Sequence, residues 1–396
     1  MKGVLPIIVL SQFLCTTLWF VGNAVMPEVV SAFGLDPLFF AYQTSAVQFG
    51  FISGTLVFAL LTVADRFSPS KVFFFSALVG AMVNLIILSS ANGPVSLLML
   101  RFFTGFFLAG IYPVGMKIAS DYFDKGLGKS LGLLVGALVL GTAFPHLLRG
   151  SLSGVPWRII IITSSSLAVL GGVLIMSLVP DGPHRKTAGK IELSAAFKVF
   201  DKRGFRSAAF GYFGHMWELY TFWAFVPMML MTYLKLHPGI SWNVPFLSFT
   251  VIGIGGLACV LSGYLSAGVG LRTSASIALV SSGACCLLSP FMFAMETSWI
   301  FVGFLLFWGM AVIADSPLFS TLVAQNANPH HRGTALTIVN CIGFSITIVS
   351  IQVITSLSTM IDTQYLYVWL AVGPALGLLA LARGRSSDKQ TETAPL

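Results

Sequence analysis

Between Leu5 and Ala382 the chain passes through about twelve apolar stretches divided by short polar breaks. Each approaches the roughly 20 residues that a helix needs to cross a hydrocarbon core. Charged residues make up only 9% of the 396 positions, against roughly 25% in a soluble domain, so most of the surface has lipid as its solvent. Unpaired backbone cannot face lipid, which leaves helices or a closed barrel, and runs this continuously apolar lack the period-two alternation of barrel strands. The expected fold class is therefore an all-α polytopic membrane protein with twelve transmembrane helices. The first run follows Lys2, but it has no small-residue cleavage signal and further runs follow at once, so it reads as a retained helix.

The formal net charge of +8 does not point to nucleic acid, because the basic residues are confined to alternate loops. Arg66 and Lys71, Lys125 and Lys129, the cluster from Arg185 to Arg206, Arg272, Arg332 and the tail Arg383, Arg385 and Lys389 all fall on one side of the alternation. The other loops carry Glu28, Asp36, Glu296 and Asp362, with few positives (Arg149, Lys235). The positive-inside rule places both termini and the long central loop in the cytoplasm, which requires an even number of spans.

Several chemistries have no foothold. Cys15, Cys259, Cys285, Cys286 and Cys341 lie inside apolar runs without CxxC spacing, so they read as small buried residues rather than disulfides or metal ligands. No phosphate-binding loop of the GxxxxGK[ST] type is present, so ATP is not the evident energy source and no cofactor or metal is expected. No HExxH, GxSxG or carboxylate pair with metal-ligand spacing appears in the apolar spans, and His330 and His331 beside Arg332 read as a solvated charge patch, so an enzyme is not expected.

Residues 181–205 form the one long polar insertion, and within it IELSAAFKVF has the spacing of a short interfacial helix. It divides the chain into a first bundle over 1–180, the linker, a second bundle over 206–383 and a tail over 384–396. A repeat supports the division. TGFFLAGIYPVGMKIAS from Thr104 aligns without gaps on WGMAVIADSPLFSTLVA from Trp308, matching Gly105 with Gly309 and Pro113 with Pro317. Both segments fall on the fourth apolar run of their half, where a duplicated six-helix unit puts them.

With two halves of six runs and a basic central loop, the chain resembles the major facilitator superfamily of secondary transporters over essentially its whole length. ADRFSPSKVFF, Ala64 to Phe74, is similar to the family's G-x-x-x-D-R-x-G-R-K loop: Asp65, Arg66 and Lys71 match, while Leu61 and Ser68 replace its glycines. RFFTG, Arg101 to Gly105, is similar to the family's R-x-x-x-G. The antiporter pattern is not clean, since Gly141 and Pro145 are not adjacent. The resemblance implies two pseudo-symmetric six-helix bundles whose first, fourth, seventh and tenth helices line a central cavity. It also implies a conformational latch formed by Asp65, Arg66, Lys71 and Asp121.

Arg101, His215, Glu218 and Asp315 all fall on those four helices. An ionisable group at the bilayer centre costs at least about 2.5–3.5 kcal/mol on insertion scales, so it persists where it meets water, a partner or a solute. Histidine changes charge nearest neutrality, and a buried carboxylate responds to its neighbours, so Glu218, Asp315 and His215 are the candidates for proton coupling. Arg101 offers a fixed positive charge to a substrate. Trp19, Asn23, Tyr112, Trp217, Tyr220 and Asn340 complete a candidate substrate pocket. Each has a structural alternative: Arg101 and Lys117 can snorkel to headgroups, His215 and Glu218 can pair with each other, Asp315 can cap backbone freed by Pro317, and the aromatics can pack.

The resulting expectation is a monomeric secondary active transporter of the cytoplasmic (inner) membrane. It would couple a proton to a small anionic or zwitterionic organic solute by alternating access, and its partners would be solute, proton and lipid. Proton-driven efflux of amphipathic compounds and a non-transporting sensor or scaffold are the alternatives.

Overall fold

The computed structural model describes residues 3–123, 127–151, 154–185, 199–327 and 332–392. The interfacial helix expected over 191–200 falls almost wholly outside these residues, which begin again with the short 3-10 turn Val199–Asp201. Lys125, Lys186, Lys190, Lys198, His330 and His331 lie outside them too, as do residues 393–396 at the end of the tail.

Among the described residues, twelve helices are long and apolar enough to span a membrane. In chain order, span 1 is Val4–Ala24, span 2 Phe39–Leu60, span 3 Pro69–Ile86, span 4 Pro94–Tyr122, span 5 Ser130–Ser151 and span 6 Trp157–Leu178. Span 7 is Arg203–Leu236, span 8 Val244–Val269, span 9 Leu271–Phe293, span 10 Ser298–Asn326, span 11 Gly333–Leu357 and span 12 Thr363–Arg383. Proline stands in the first turn of several of these helices, at Pro69, Pro94 and Pro245, where its missing N–H costs nothing.

The matched prolines of the repeat mark matched breaks. Span 4 is helical over Pro94–Leu108 and again over Tyr112–Tyr122, with Pro113 at the start of the second segment. Span 10 is helical over Ser298–Ala314 and again over Ser316–Asn326, with Pro317 in the same place. In both, proline cannot donate to the preceding turn, and the helix restarts around it.

Two compact units account for the packing. Met1–Lys190 with Trp223–Leu257 forms the first, and Ile191–Phe222 with Ala258–Leu396 the second. Span 7 is one unbroken helix shared between them.

In the first unit, span 2 crosses span 4 with backbones in contact. A Cβ on Gly50 would stand 1.9 Å from the Phe102 carbonyl oxygen, one on Gly54 2.3 Å from that of Phe106, and one on Gly105 2.0 Å from that of Val47. Gly50 and Gly54 form a GxxxG pair, the pattern that lets membrane helices approach this closely. Gly105 is the glycine of the RFFTG motif, so the crossing is a physical reason for that motif. In the second unit, Gly214 of span 7 meets Gly373 and Gly377 of span 12 in the same way.

Span 2 ends in a tight turn where Thr62 has φ 50, the one positive-φ residue other than glycine among the described residues. The family pattern has its glycine one position earlier, at Leu61.

Candidate functional site

In the second unit, span 7 carries His215 and Glu218 on adjacent faces, and they do not pair with each other. His215 Nδ1 lies 2.7 Å from Asp315 Oδ1, and both side chains are 1% exposed. The distance is that of an ion pair, while the N–H direction falls short of a well-formed hydrogen bond, and His215 Nε2 has no partner among the described residues. Asp315 sits at the break of span 10, where the alternative reading made it a cap; its side chain makes no capping hydrogen bond. The Tyr212 and Phe319 rings lie 5.8 and 6.2 Å from the imidazole and close it off on two sides.

Glu218 occupies a separate niche, also 1% exposed. Its Oε1 accepts a 2.6 Å hydrogen bond from the Trp308 indole N–H on span 10 and a 3.3 Å one from the Cys286 thiol on span 9. The indole is held by the Phe222 ring, 4.7 Å away. Among the described residues neither Glu218 nor Asp315 meets a lysine or arginine: one carboxylate has only neutral donors, with Ser282 beside Trp308 and Cys286, and the other a histidine.

The remaining candidates in this unit are packed. The Trp217 indole donates to the Trp369 carbonyl at 3.3 Å and lies over Gly373, while Ser350 donates to the Trp217 carbonyl at 2.5 Å. Tyr220 is buried against Phe344, and Asn340 is half-buried on span 11.

In the first unit, Arg101 does not snorkel. It is 2% exposed, and its guanidinium donates to the carbonyls of Trp19 (2.7 Å) and Leu18 (3.3 Å) on span 1 and to Asn84 Oδ1 (3.2 Å) on span 3. Asn84 in turn donates to Ser165 on span 6 at 3.0 Å. A planar guanidinium with five donors suits this role, which braces four spans of the unit. Trp19 packs on Phe51 at 4.8 Å. Asn23 donates to Thr44 at 2.9 Å and accepts from Gln43 at 3.3 Å, and Tyr112 is half-buried where span 4 restarts.

The latch residues divide. Lys117 Nζ bridges Asp65 at 2.9 Å and Asp121 at 3.6 Å, so a residue expected to snorkel is the shared cation. Arg66 and Lys71 are exposed and make no ion pair among the described residues. Arg185 adds a second tie, donating to Asp181 at 2.5 Å and to the carbonyls of Phe67 and Asp65 at 2.7 and 3.1 Å, while Ser68 donates to Asp181 at 2.6 Å. The loop after span 2, the end of span 4 and the segment after span 6 are thereby fastened within one unit.

Trp308 escaped the sequence reading of the site because it looked ordinary in its run, while Cys286 read as a small buried residue and Lys117 as a snorkelling cation. The ungapped repeat puts Thr104 where Trp308 stands and Ile111 where Asp315 stands, so both acid sites belong to the second half alone.

Comparison with known proteins agrees with this architecture. The structure matches that of the nucleoside transporter NupG, with a TM-score of 0.73 at 16% identity, covering 96% of this chain and 99% of that one. It also matches a bacterial homologue of the human lysosomal transporter Spinster, in an inward-facing and occupied conformation, with a TM-score of 0.67 at 14% identity, covering 98% and 97%. No curated relative matches in sequence. The family model of the Major Facilitator Superfamily covers residues 8–351, and the chain belongs to that family of membrane transporters.

Proposed function

We propose that the protein is a proton-coupled secondary transporter that carries a small organic solute by alternating access. The observation that supports this is the placement of Glu218 and Asp315, both 1% exposed, with no lysine or arginine at either among the described residues. A buried carboxylate needs a counter-charge or must give up its own, and here the mobile species able to do either is the proton. His215 Nδ1, 2.7 Å from Asp315 Oδ1, stands close enough to exchange that proton with it. Coupling follows if the solute-bound and solute-free conformations hold the proton with different affinity. The basic residues of alternate loops favour cytoplasmic termini in an inner membrane, and uptake is the direction we assign.

The test is reconstitution into vesicles containing a pH-sensitive dye, with an imposed pH gradient and a solute panel. A transported solute is expected to evoke proton entry, and Glu218→Gln or Asp315→Asn to abolish it. Solute flux that ignores the gradient, or variants that retain full coupling, would overturn the reading.

A further inference from the structure

The two groups that would attract an anionic solute are both engaged. Arg101 donates to two backbone carbonyls and an asparagine, and His215 faces Asp315. The first unit holds a different kind of unmet demand. Gln12 on span 1 and Gln48 on span 2 are each 0% exposed, and neither the amide nitrogen nor the amide oxygen of either has a hydrogen-bond partner among the described residues. A carboxamide left unpaired away from water is costly, and in a membrane interior lipid offers it nothing.

Helical phase puts these amides along one seam. On span 1, Gln12, Trp19 and Asn23 are spaced i, i+7, i+11 and share a stripe; on span 2, Thr44, Gln48, Phe51 and Thr55 do the same. The stripes meet where Asn23 bonds Thr44 and where the Trp19 ring meets Phe51. From that ring contact Gln48 lies three residues to one side and Gln12 seven to the other. At 1.5 Å per residue their Cα atoms are about 15 Å apart along the axes. Thr55 lies between them, and its hydroxyl also lacks a partner. At its far end the Gln12 amide oxygen reaches span 4, standing 2.4 Å from where a Cβ on residue 115 would be, so any larger residue there would displace the amide. Gly115 is three residues beyond Tyr112, at the restart of span 4.

We propose that this seam is the solute-reading face of the first unit, and that the solute it reads is uncharged and polar. The Gln12 and Gln48 amides and the Thr55 hydroxyl would grip hydroxyl, carbonyl or amide groups at its two ends, and the Trp19–Phe51 pair would support its middle. Amides donate and accept without carrying charge, so they suit a neutral partner and give an anion no compensation for its lost hydration. The assignment rests on the transporter reading but is separable from it, because it concerns which solute binds rather than what drives it.

The experiment is a thermal-shift series on the purified full-length protein with matched pairs of probes: a hexose and its uronate, and a ribonucleoside and its 5′-monophosphate. At least one uncharged member is expected to raise the melting temperature while its anionic partner does not. Gln12→Met and Gln48→Met, which keep side-chain length and remove the amide, are expected to leave the unliganded melting temperature unchanged or raised. Both are expected to weaken binding of that probe about tenfold or more. Stabilisation by the anions alone, or by no probe, overturns the proposal. So does binding unaltered in both variants, which would mean that trapped water satisfies the amides. Unliganded variants that melt several degrees lower overturn it as well, since the amides would then be pairing within the protein. Proton entry measured with the same probes separates the two readings. A neutral solute that binds but moves no proton removes the coupling and leaves the seam, whereas an anion that moves protons through Glu218 does the reverse.

Discussion

Replacing Gly50 or Gly105 by alanine is expected to be among the most damaging conservative changes in the first unit. A methyl carbon at Gly50 would stand 1.9 Å from the Phe102 carbonyl oxygen, where ordinary contact begins at 3.4 Å, so span 2 must retreat from span 4 by about 1.5 Å. Overpacking costs about 1–3 kcal/mol. The upper part of that range applies here, because the obstructing atom is a backbone carbonyl, which cannot swing aside as a side chain can. Gly105 meets the same limit from the other helix, at 2.0 Å from the Val47 oxygen. Each single variant is expected to lose about 2–3 kcal/mol. The double variant should lose less than the two together, since one displacement of the helix pair relieves both clashes. Gly80→Ala is the internal control: its Cβ would meet Leu18 and Phe107 at 3.5 Å, and a helix-interior alanine gains up to about 1 kcal/mol over glycine, so stability should hold or rise. Unfolding in mixed micelles titrated with SDS, followed by circular dichroism, measures all four. Wild-type unfolding of Gly50→Ala, or an equal loss in Gly80→Ala, would refute the argument from backbone contact.

Further outcomes follow from the buried and partly buried polar contacts. Truncating His215 to leucine leaves a buried carboxyl without its partner and is expected to cost about 3–5 kcal/mol, whereas the His215→Leu/Asp315→Leu pair should recover most of it while losing proton coupling; SDS unfolding reads the first and vesicle proton entry the second. Arg101→Met strands the carbonyls of Leu18 and Trp19 and the Asn84 amide and should destabilise by about 1–3 kcal/mol, with Arg101→Lys a poor rescue because one ammonium cannot reproduce the planar fork. A double-mutant cycle on Asp65→Asn and Lys117→Met is expected to give a coupling of at most about 1 kcal/mol, since both side chains remain about a fifth exposed, and a coupling of several kcal/mol would contradict that. Thr62→Gly relieves a left-handed β-branched residue and should stabilise by about 0.5–1 kcal/mol in the same titration; a loss would show that the turn depends on the threonine side chain.

Hydropathy made the helices legible because membrane insertion is decided segment by segment, and each apolar run carries its own answer. The breaks at Pro113 and Pro317 were legible for a similarly local reason, since proline disrupts its own turn whatever surrounds it. Contacts between helices were not, because they depend on faces rather than on runs. Gly50 and Gly54 stood in plain view, yet only the partner carbonyls of span 4 show why they must be small. Charge also drew attention away from neutral donors. Glu218 stood out in the sequence, while Trp308 and Cys286, which hold it, looked like ordinary apolar residues. Lys117 and Arg101 looked alike as cations near helix ends, and only their partners distinguish a bridge between two carboxylates from a brace on backbone oxygens. Span 7 shows the same limit. The polar linker before it puts it in the second half, while its packing divides at Trp223.

All five native cysteines are buried. Chemical labelling can therefore begin from the natural chain, with no need to strip its thiols first. A reporter cysteine installed at an exposed position such as Thr297 should react alone with a water-soluble maleimide. Any modification that appears at Cys286 during turnover would then be a signal in its own right, reporting that bulk water has reached the Glu218 carboxyl.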